Sequence, residues 1–274
     1  MQKDVIMLGD CVESMRTLPD ESSDLIFTDP PFNIGLKYDV YNDKLPYEEY
    51  YKWSVGWITE ASRILSPTGS IYVCIGDEFA AELNIIMKKA GLIFRNWIIW
   101  HYTFGEQQRT KFSRCHTHIL YFTKSRDKFT FNRNEVLVPS ARQLIYKDKR
   151  AKAGGKTPDD VWPVYADAGG MSHDLAVYPQ DWEVWNDSRV CGTFKERLMK
   201  PDGTAHPCQL PLSIVKRAIR ASSNPGDLVT DPFCGTGTTP YAAKELGRHY
   251  LAMEMSQSYY DVSTERLAGL VNAS

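Results

Sequence analysis

The chain has 274 residues, 43% hydrophobic and 24% charged, enough to bury a sizeable core in one large domain with room for an inserted lobe. Its net charge of −2 excludes a uniformly basic nucleic-acid coat, so any contact with a polyanion has to be concentrated locally. The six cysteines are scattered without a CxxC pair, which excludes a disulfide framework and a structural zinc site and fits a reducing compartment.

The opening MQKDVIMLGD has no long apolar core of a secretory signal, and no apolar run reaches membrane-spanning length. The expectation is a soluble cytoplasmic protein with no membrane partner. Seven short apolar runs read as buried strands: Val5–Leu8, Asp24–Thr28, Ser70–Cys74, Trp97–Tyr102, Ile119–Thr123, Leu228–Asp231 and Tyr250–Met253. Most are separated by helix-like stretches, the pattern of a doubly wound α/β fold with a mostly parallel seven-stranded sheet.

The clearest helix runs from about Pro46 to Leu65. Pro46 suits a first helical position, and Trp53, Trp57, Ala61 and Ile64 recur at helical spacing, which reads as core packing. SPTG, residues 66–69, closes it. Further helices are expected at Glu78–Ala90, at Leu210–Ser222 and from about Tyr259 onward.

The stretch from Arg126 to Gly203 differs. It is rich in Gly, Pro, Asp and aromatics with weak periodicity. From Arg126 to Lys156 nine cations stand against three acids, a local excess of +6, so the rest of the chain carries −8. Such polarity suits phosphate contact, although a solvated lobe has the same composition. Arg142, Lys147 and Arg150 lie in this run. RVCGTFKER, with Arg189 and Lys195, offers further cations beside a glycine.

In DLVTDPFCGTGTTPYAAKELGRHYLAMEM (227–255), a strand ends at Asp231, a tight turn holds Gly235 and Gly237, and a helix opens near Thr238. The next strand ends at Glu254. Glycines permit the sharp turn and a close ligand approach, and an acid ending the following strand can accept hydrogen bonds from two ribose hydroxyls. The third glycine of a dinucleotide fingerprint is missing, which weighs against a nicotinamide oxidoreductase, and no P-loop Gly-Lys-Ser/Thr follows. A cofactor with a ribose and no phosphate fits better, and S-adenosylmethionine is such a molecule.

DLIFTDPPFNIG (24–35) ends another strand in Asp29-Pro30-Pro31-Phe32. The prolines stiffen the turn and remove N–H donors. The Asp29 carboxylate and the Pro30 carbonyl then offer two acceptors for the two N–H bonds of an exocyclic amine, and Phe32 offers a face for a planar base. Because ligands of open α/β sheets bind at the carboxyl ends of strands, Asp29 and Asp231 are expected to share one crevice.

With these motifs the chain resembles the amino-methylating DNA methyltransferases. DPPF (29–32) precedes DPFCGTGT (231–238), an order similar to the β class of that family; GDCVESM (9–15) and AHPCQLP (205–211) also resemble its segments. The resemblance implies a methyltransferase domain over residues 1–125 and 204–274, and a target-recognition region inserted at 126–203. It implies that Asp29, Pro30, Pro31 and Phe32 hold a flipped base. Asp10 would approach the cofactor's adenine, and Cys11 would belong to the cofactor site. His206 and Gln209 would lie by its methionine end, and Asp29, Asp231, Phe233, Gly235, Gly237, Thr238 and Glu254 along the rest. TFGEQQRTKFSR (103–114), with Arg109, Lys111 and Arg114, would close on double-stranded DNA. Homodimers and a restriction endonuclease partner belong to the same picture.

The family more often has Tyr at Phe32, a change that keeps stacking, and it tends to use Asp at position 29 for adenine N6 and Ser for cytosine N4. The alternatives are a cytosine-N4 enzyme and a silent DNA-binding homologue. Cytosine-C5 chemistry is set aside because Pro207-Cys208 does not follow a strand-like run. His116 and His118 share a strand face, but with no further ligand visible no metal site is expected.

Overall fold

The computed structural model describes residues 2–102, 108–144, 146–152, 154–162, 198, 203 and 209–271. Its strands are β1 (Val5–Leu8), β2 (Ser23–Thr28), β3 (Leu65–Ile75), β4 (Ile93–His101), β5 (His116–Thr123), β6 (Val161–Trp162), β7 (Leu228–Asp231) and β8 (His249–Glu254). The helices are α1 (Cys11–Arg16), α2 (Tyr47–Ile64), α3 (Ala80–Lys89), α4 (Ala141–Leu144), α5 (Leu212–Ser222), α6 (Thr238–Glu245) and α7 (Gln257–Val271).

Among the described residues the strands form one sheet in the order β1-β8-β7-β2-β3-β5-β4-β6. This corrects the expected seven strands: the short edge strand β6, unmarked by any apolar run, adds an eighth beside β4, pairing Ile99 with Val161 and Trp100 with Trp162. All seven expected strands are present, but β5 runs antiparallel to both β3 and β4. The connection between β4 and β5 contains no crossover helix among its described residues, and a parallel pair needs a long crossover connection, usually a helix.

Strand alternation divides the core between the two faces of the sheet. Leu25 and Phe27 of β2 pack with α5, α6 and α7, whereas Ile26 packs with α1, α2 and α3. The helices are thus doubly wound, as expected. α2 stops at Ile64 because Leu65 is already extended (φ −70°, ψ 128°) and Pro67 disfavours helical geometry at Ser66. SPTG therefore belongs to β3 rather than to a turn. Within the basic stretch, Asn132 bonds the backbone at the end of α5, and β6 joins the sheet, so parts of residues 126–162 are fastened to the main sheet and its helices.

β1, β8, β7, β2 and β3 are mutually parallel, so their carboxyl ends lie along one edge. At or within two residues of those ends stand, in sheet order, Asp10, Glu254, Asp231, Asp29 and Asp77. This acidic edge is where ligands of such sheets bind.

Candidate active site

A pocket opens along that edge. Its walls include Asp10, Cys11, Asp29, Pro31, Gln209, Asp231, Phe233, Gly235, Thr238 and Glu254. Two motifs 200 residues apart in sequence thus meet because β2 and β7 are neighbours, pairing Leu25 with Val229 and Ile26 with Thr230.

Glu254 stands at the end of β8. Its Oε2 accepts from the Gly235 amide at 2.8 Å and its Oε1 from the Ser256 amide at 2.8 Å. Each oxygen retains acceptor capacity for a further donor. Burial pushes the carboxyl up to about 7 against these backbone bonds. Asp231 is buried; burial raises it to about 6, opposed chiefly by the Phe233 amide, which donates to its Oδ1 at 3.0 Å. Asp10 caps α1, accepting from the Val12 and Glu13 amides at 2.9 and 3.0 Å through Oδ1. Burial pushes the Cys11 thiol up to about 12, so it stays protonated and inert.

Gly237 stands at the turn beside this pocket. It is absent from the pocket wall and caps α6 in the left-handed region at φ 76°. A Cβ there would stand 2.9 Å from the Ser263 Cβ of α7. This glycine serves the turn and the packing against α7. His206 lies outside the described residues, as do Arg189 and Lys195.

The DPPF turn is held from behind. The Tyr50 hydroxyl donates to the Pro31 carbonyl at 2.5 Å. After the turn, Asn33 adopts φ 59° and its side-chain amide both donates to and accepts from the Leu45 backbone. The buried Asp43 carboxylate accepts from the amides of Asn33, Ile34 and Leu36 at 2.7, 3.2 and 2.9 Å. From this anchor residues 38–41 run along the pocket, and Asp39 accepts from the hydroxyls of Ser256 and Ser258 beyond the end of β8. Trp53 is only half-buried. It lines the pocket, its ring 5.4 Å from Phe233, so of the tryptophans read as core only Trp57 is fully so.

Phe32 lies on the β3 side, where a Cβ added to Gly76 would stand 3.2 Å from its ring. Beside it Asp77 gathers a cluster. His118 Nε2 lies 2.8 Å, His116 Nε2 3.4 Å and Arg114 Nε 2.8 Å from its carboxylate, and Arg114 also reaches Glu78 at 2.6 Å. These ligand types lie close enough for a metal, but Trp97 Nε1 donates to His118 Nδ1 at 2.8 Å. Indole only donates, so Nδ1 is the lone-pair nitrogen and Nε2–H donates to Asp77. His118 then aims a proton, not a lone pair, at the cluster, and Arg114 already occupies the carboxylate. The arrangement is a hydrogen-bonded ion-pair cluster.

Of the expected DNA contacts, Arg109 and Lys111 are exposed, while Arg114 is engaged by Asp77 and Glu78. Phe112, between them, is 100% exposed. Arg142 and Arg150 both pair with Asp148, which the Arg150 bond chiefly holds down to about 2; Lys147 is exposed. Asp43, Tyr50 and residues 38–41 were missed by the sequence reading. The Asn directly after DPPF was their available signal, since Asn tolerates φ > 0.

The profile of the N6/N4 DNA methylase family matches residues 23–265, and the chain belongs to that family. It is a DNA methyltransferase. It is 32% identical over 263 residues to the type II methyltransferase M.HpaI of Haemophilus parainfluenzae, covering 96% of this chain and 73% of that protein. It is 31% identical over 267 residues to the DNA adenine methyltransferase YhdJ of Escherichia coli K12, covering 96% and 82%. In fold it resembles the cytosine-N4-specific PvuII DNA methyltransferase, with a TM-score of 0.70 at 18% identity over 97% of this chain and 86% of that one. It also resembles M1.HpyAVI in complex with SAM, with a TM-score of 0.59 at 20% identity over 96% and 98%.

The methyl donor of the family is S-adenosylmethionine, and the pocket fits it. Glu254 holds spare acceptor sites where ribose hydroxyls would stand, Phe233 and Trp53 supply apolar ring surface inclined at 55° to one another, and the Gly235 turn leaves its approach unobstructed by a side chain. Among the described residues, no helix is long and apolar enough to cross a membrane.

Proposed function

We propose that this chain methylates the N6 amine of adenine in double-stranded DNA, after flipping the base into the crevice between Asp29 and Phe32. The observation that carries this reading is the DPPF turn itself, whose acid directly follows β2 in the wall of the same pocket as Asp231 and Glu254. Aspartate at this position favours adenine by the family resemblance, and the relative YhdJ is an adenine methyltransferase by name.

The bound cofactor supplies an electrophilic methyl group on sulfur. The work of this chain is to position the acceptor. The Asp29 carboxylate and the Pro30 carbonyl accept the two N–H bonds of the amine, turning its lone pair toward the methyl donor. Tyr50, by engaging the Pro31 carbonyl, holds the turn in that attitude. As the N–C bond forms and the C–S bond breaks, the amine becomes cationic beside Asp29, whose charge favours it. The surplus proton leaves to this carboxylate or to solvent. Phe32 stacks on the extruded base and offsets part of the few kcal/mol that flipping costs. Residues 126–203, basic in their first part, are proposed to read the DNA sequence, with Arg109, Lys111 and Lys147 on phosphates.

The test is to incubate the protein with unmethylated DNA and S-adenosylmethionine and identify modified nucleosides by mass spectrometry, with Asp29→Ala alongside. N6-methyladenine from wild type alone is the expected result. N4-methylcytosine would overturn the choice of base, and a product from Asp29→Ala would overturn the role of the turn.

A further inference from the structure

Phe112 is completely exposed. Its ring buries nothing within the chain, so the gain from removing it from water is realised only against a partner. Its neighbours in sequence indicate that partner's charge. Arg109 and Lys111 are exposed as well, and TKFSR (110–114) carries a cation on each side of the ring. Lysine is depleted at protein–protein interfaces, whereas cations on phosphates and an aromatic ring on bases are how proteins grip nucleic acid.

The register fixes where the ring stands. β5 runs antiparallel to β3, with His118 opposite Ile75, so the chain enters β5 at the edge where β3 ends and the pocket opens. Phe112 precedes the start of β5 by four residues. The Gln108 amide donates to Ser113 Oγ at 3.3 Å and closes residues 108–113 into a turn. Arg114 fixes the foot of that turn, 2.8 Å from Asp77 and 2.6 Å from Glu78. Asp77 follows Gly76, whose backbone stands against the Phe32 ring. Two residues of chain span at most about 7 Å, so the Phe112 backbone lies within that distance of Arg114.

Flipping a base leaves a gap in the stack, and the lost stacking is much of what extrusion costs. On the reading that this chain flips its target base, we propose that Phe112 is the wedge that enters the gap and stacks on the base pairs beside it. Phe32 holds the base outside the duplex, and Phe112 takes its place inside. Arg109 and Lys111 grip the phosphates, while Arg114 steadies the turn from the protein side.

The test uses a short duplex carrying the sequence that wild type methylates, located by sequencing treated plasmid DNA. A second duplex has an abasic nucleotide opposite the target base. Single-turnover methyl transfer is compared for wild type, Phe112→Ala and Phe112→Trp. On the intact duplex Phe112→Ala should be slower by about ten- to a hundredfold, and Phe112→Trp, which still stacks, should stay near wild type. On the abasic duplex the pair is already broken and flipping no longer limits the rate, so the deficit should shrink to about threefold or less. Affinity for S-adenosylmethionine should be unchanged in both variants. Phe112→Ala as fast as wild type on the intact duplex would overturn the wedge. An equal deficit on both duplexes would make Phe112 a general DNA contact and overturn it too. A deficit shared in full by Phe112→Trp, or a loss of cofactor affinity, would show a structural role, with the same consequence. Wild type that methylates no DNA would sink the reading on which the wedge rests, a separate failure.

Discussion

The hydroxyl of Tyr50 and the carbonyl of Pro31 lie 2.5 Å apart, joining the buried side of α2 to the turn that presents Asp29. Burial raises the Tyr50 hydroxyl well above its ordinary value, so it stays a donor throughout the useful pH range. The bond fixes the Pro31 carbonyl, and with it the backbone that carries the Asp29 carboxylate proposed to meet the target amine. Tyr50→Phe keeps the ring in the core and removes only this bond. Methyl transfer at saturating substrates should fall about three- to tenfold, with S-adenosylmethionine affinity unchanged. Single-turnover kinetics beside calorimetry check both halves.

The strands, the doubly wound helices and the meeting of DPPF with the glycine turn were legible because each rests on a local signal: an apolar run, a helical spacing, a turn residue at a strand end. The reversal of β5 was not, since an apolar strand buried on both faces reads alike in either direction. β6 is two residues long and carries no periodicity at all. Trp53 looked like core because helical spacing shows which residues share a face, not whether the ligand wall shares it too. The acidic partners of Arg114, Asp77 and Glu78, were not legible because they lie at another strand's end. Gly237 was legible as a turn residue, but its real neighbour, Ser263, lies on a helix that no local pattern brings near.

The contact between Gly237 and Ser263 has a measurable consequence. Gly237→Ala combines a left-handed backbone with a Cβ 2.9 Å from the Ser263 Cβ. It should destabilise the fold by about 2 kcal/mol or more, read in urea unfolding without cofactor. Adding Ser263→Gly should recover the steric part and leave the backbone part. A single variant of normal stability with weakened cofactor binding would return Gly237 to the ligand wall.

The Asp77 cluster separates two kinds of cation. Arg109 and Lys111 are exposed, and neutralising either should weaken DNA binding and lower the salt dependence by about one counterion. Arg114→Gln should raise the KM for DNA while leaving the salt dependence as it is, because Arg114 spends its charge on Asp77 and Glu78. Fluorescence anisotropy on a duplex across a salt series distinguishes the two. A reduced salt slope in Arg114→Gln would make it a phosphate contact after all.

The Glu254 carboxyl sits at about 7, raised chiefly by burial. The native state therefore holds its proton at pH values where the unfolded chain has lost it. Stability from this group is complete below the ordinary carboxylate value and is lost as pH rises through about 7. Asp231, raised to about 6, acts in the same direction. Cofactor binding has the opposite sign. Ribose hydroxyls donate to the ionised form, so binding should drive Glu254 to release its proton, and affinity should rise from about pH 6 to about pH 8 before levelling. Calorimetry near neutrality in two buffers of different ionisation enthalpy should detect that release. Glu254→Gln should bind more weakly and lose the release. A wild-type affinity flat across this range would show that the ribose does not meet Glu254 as an anion.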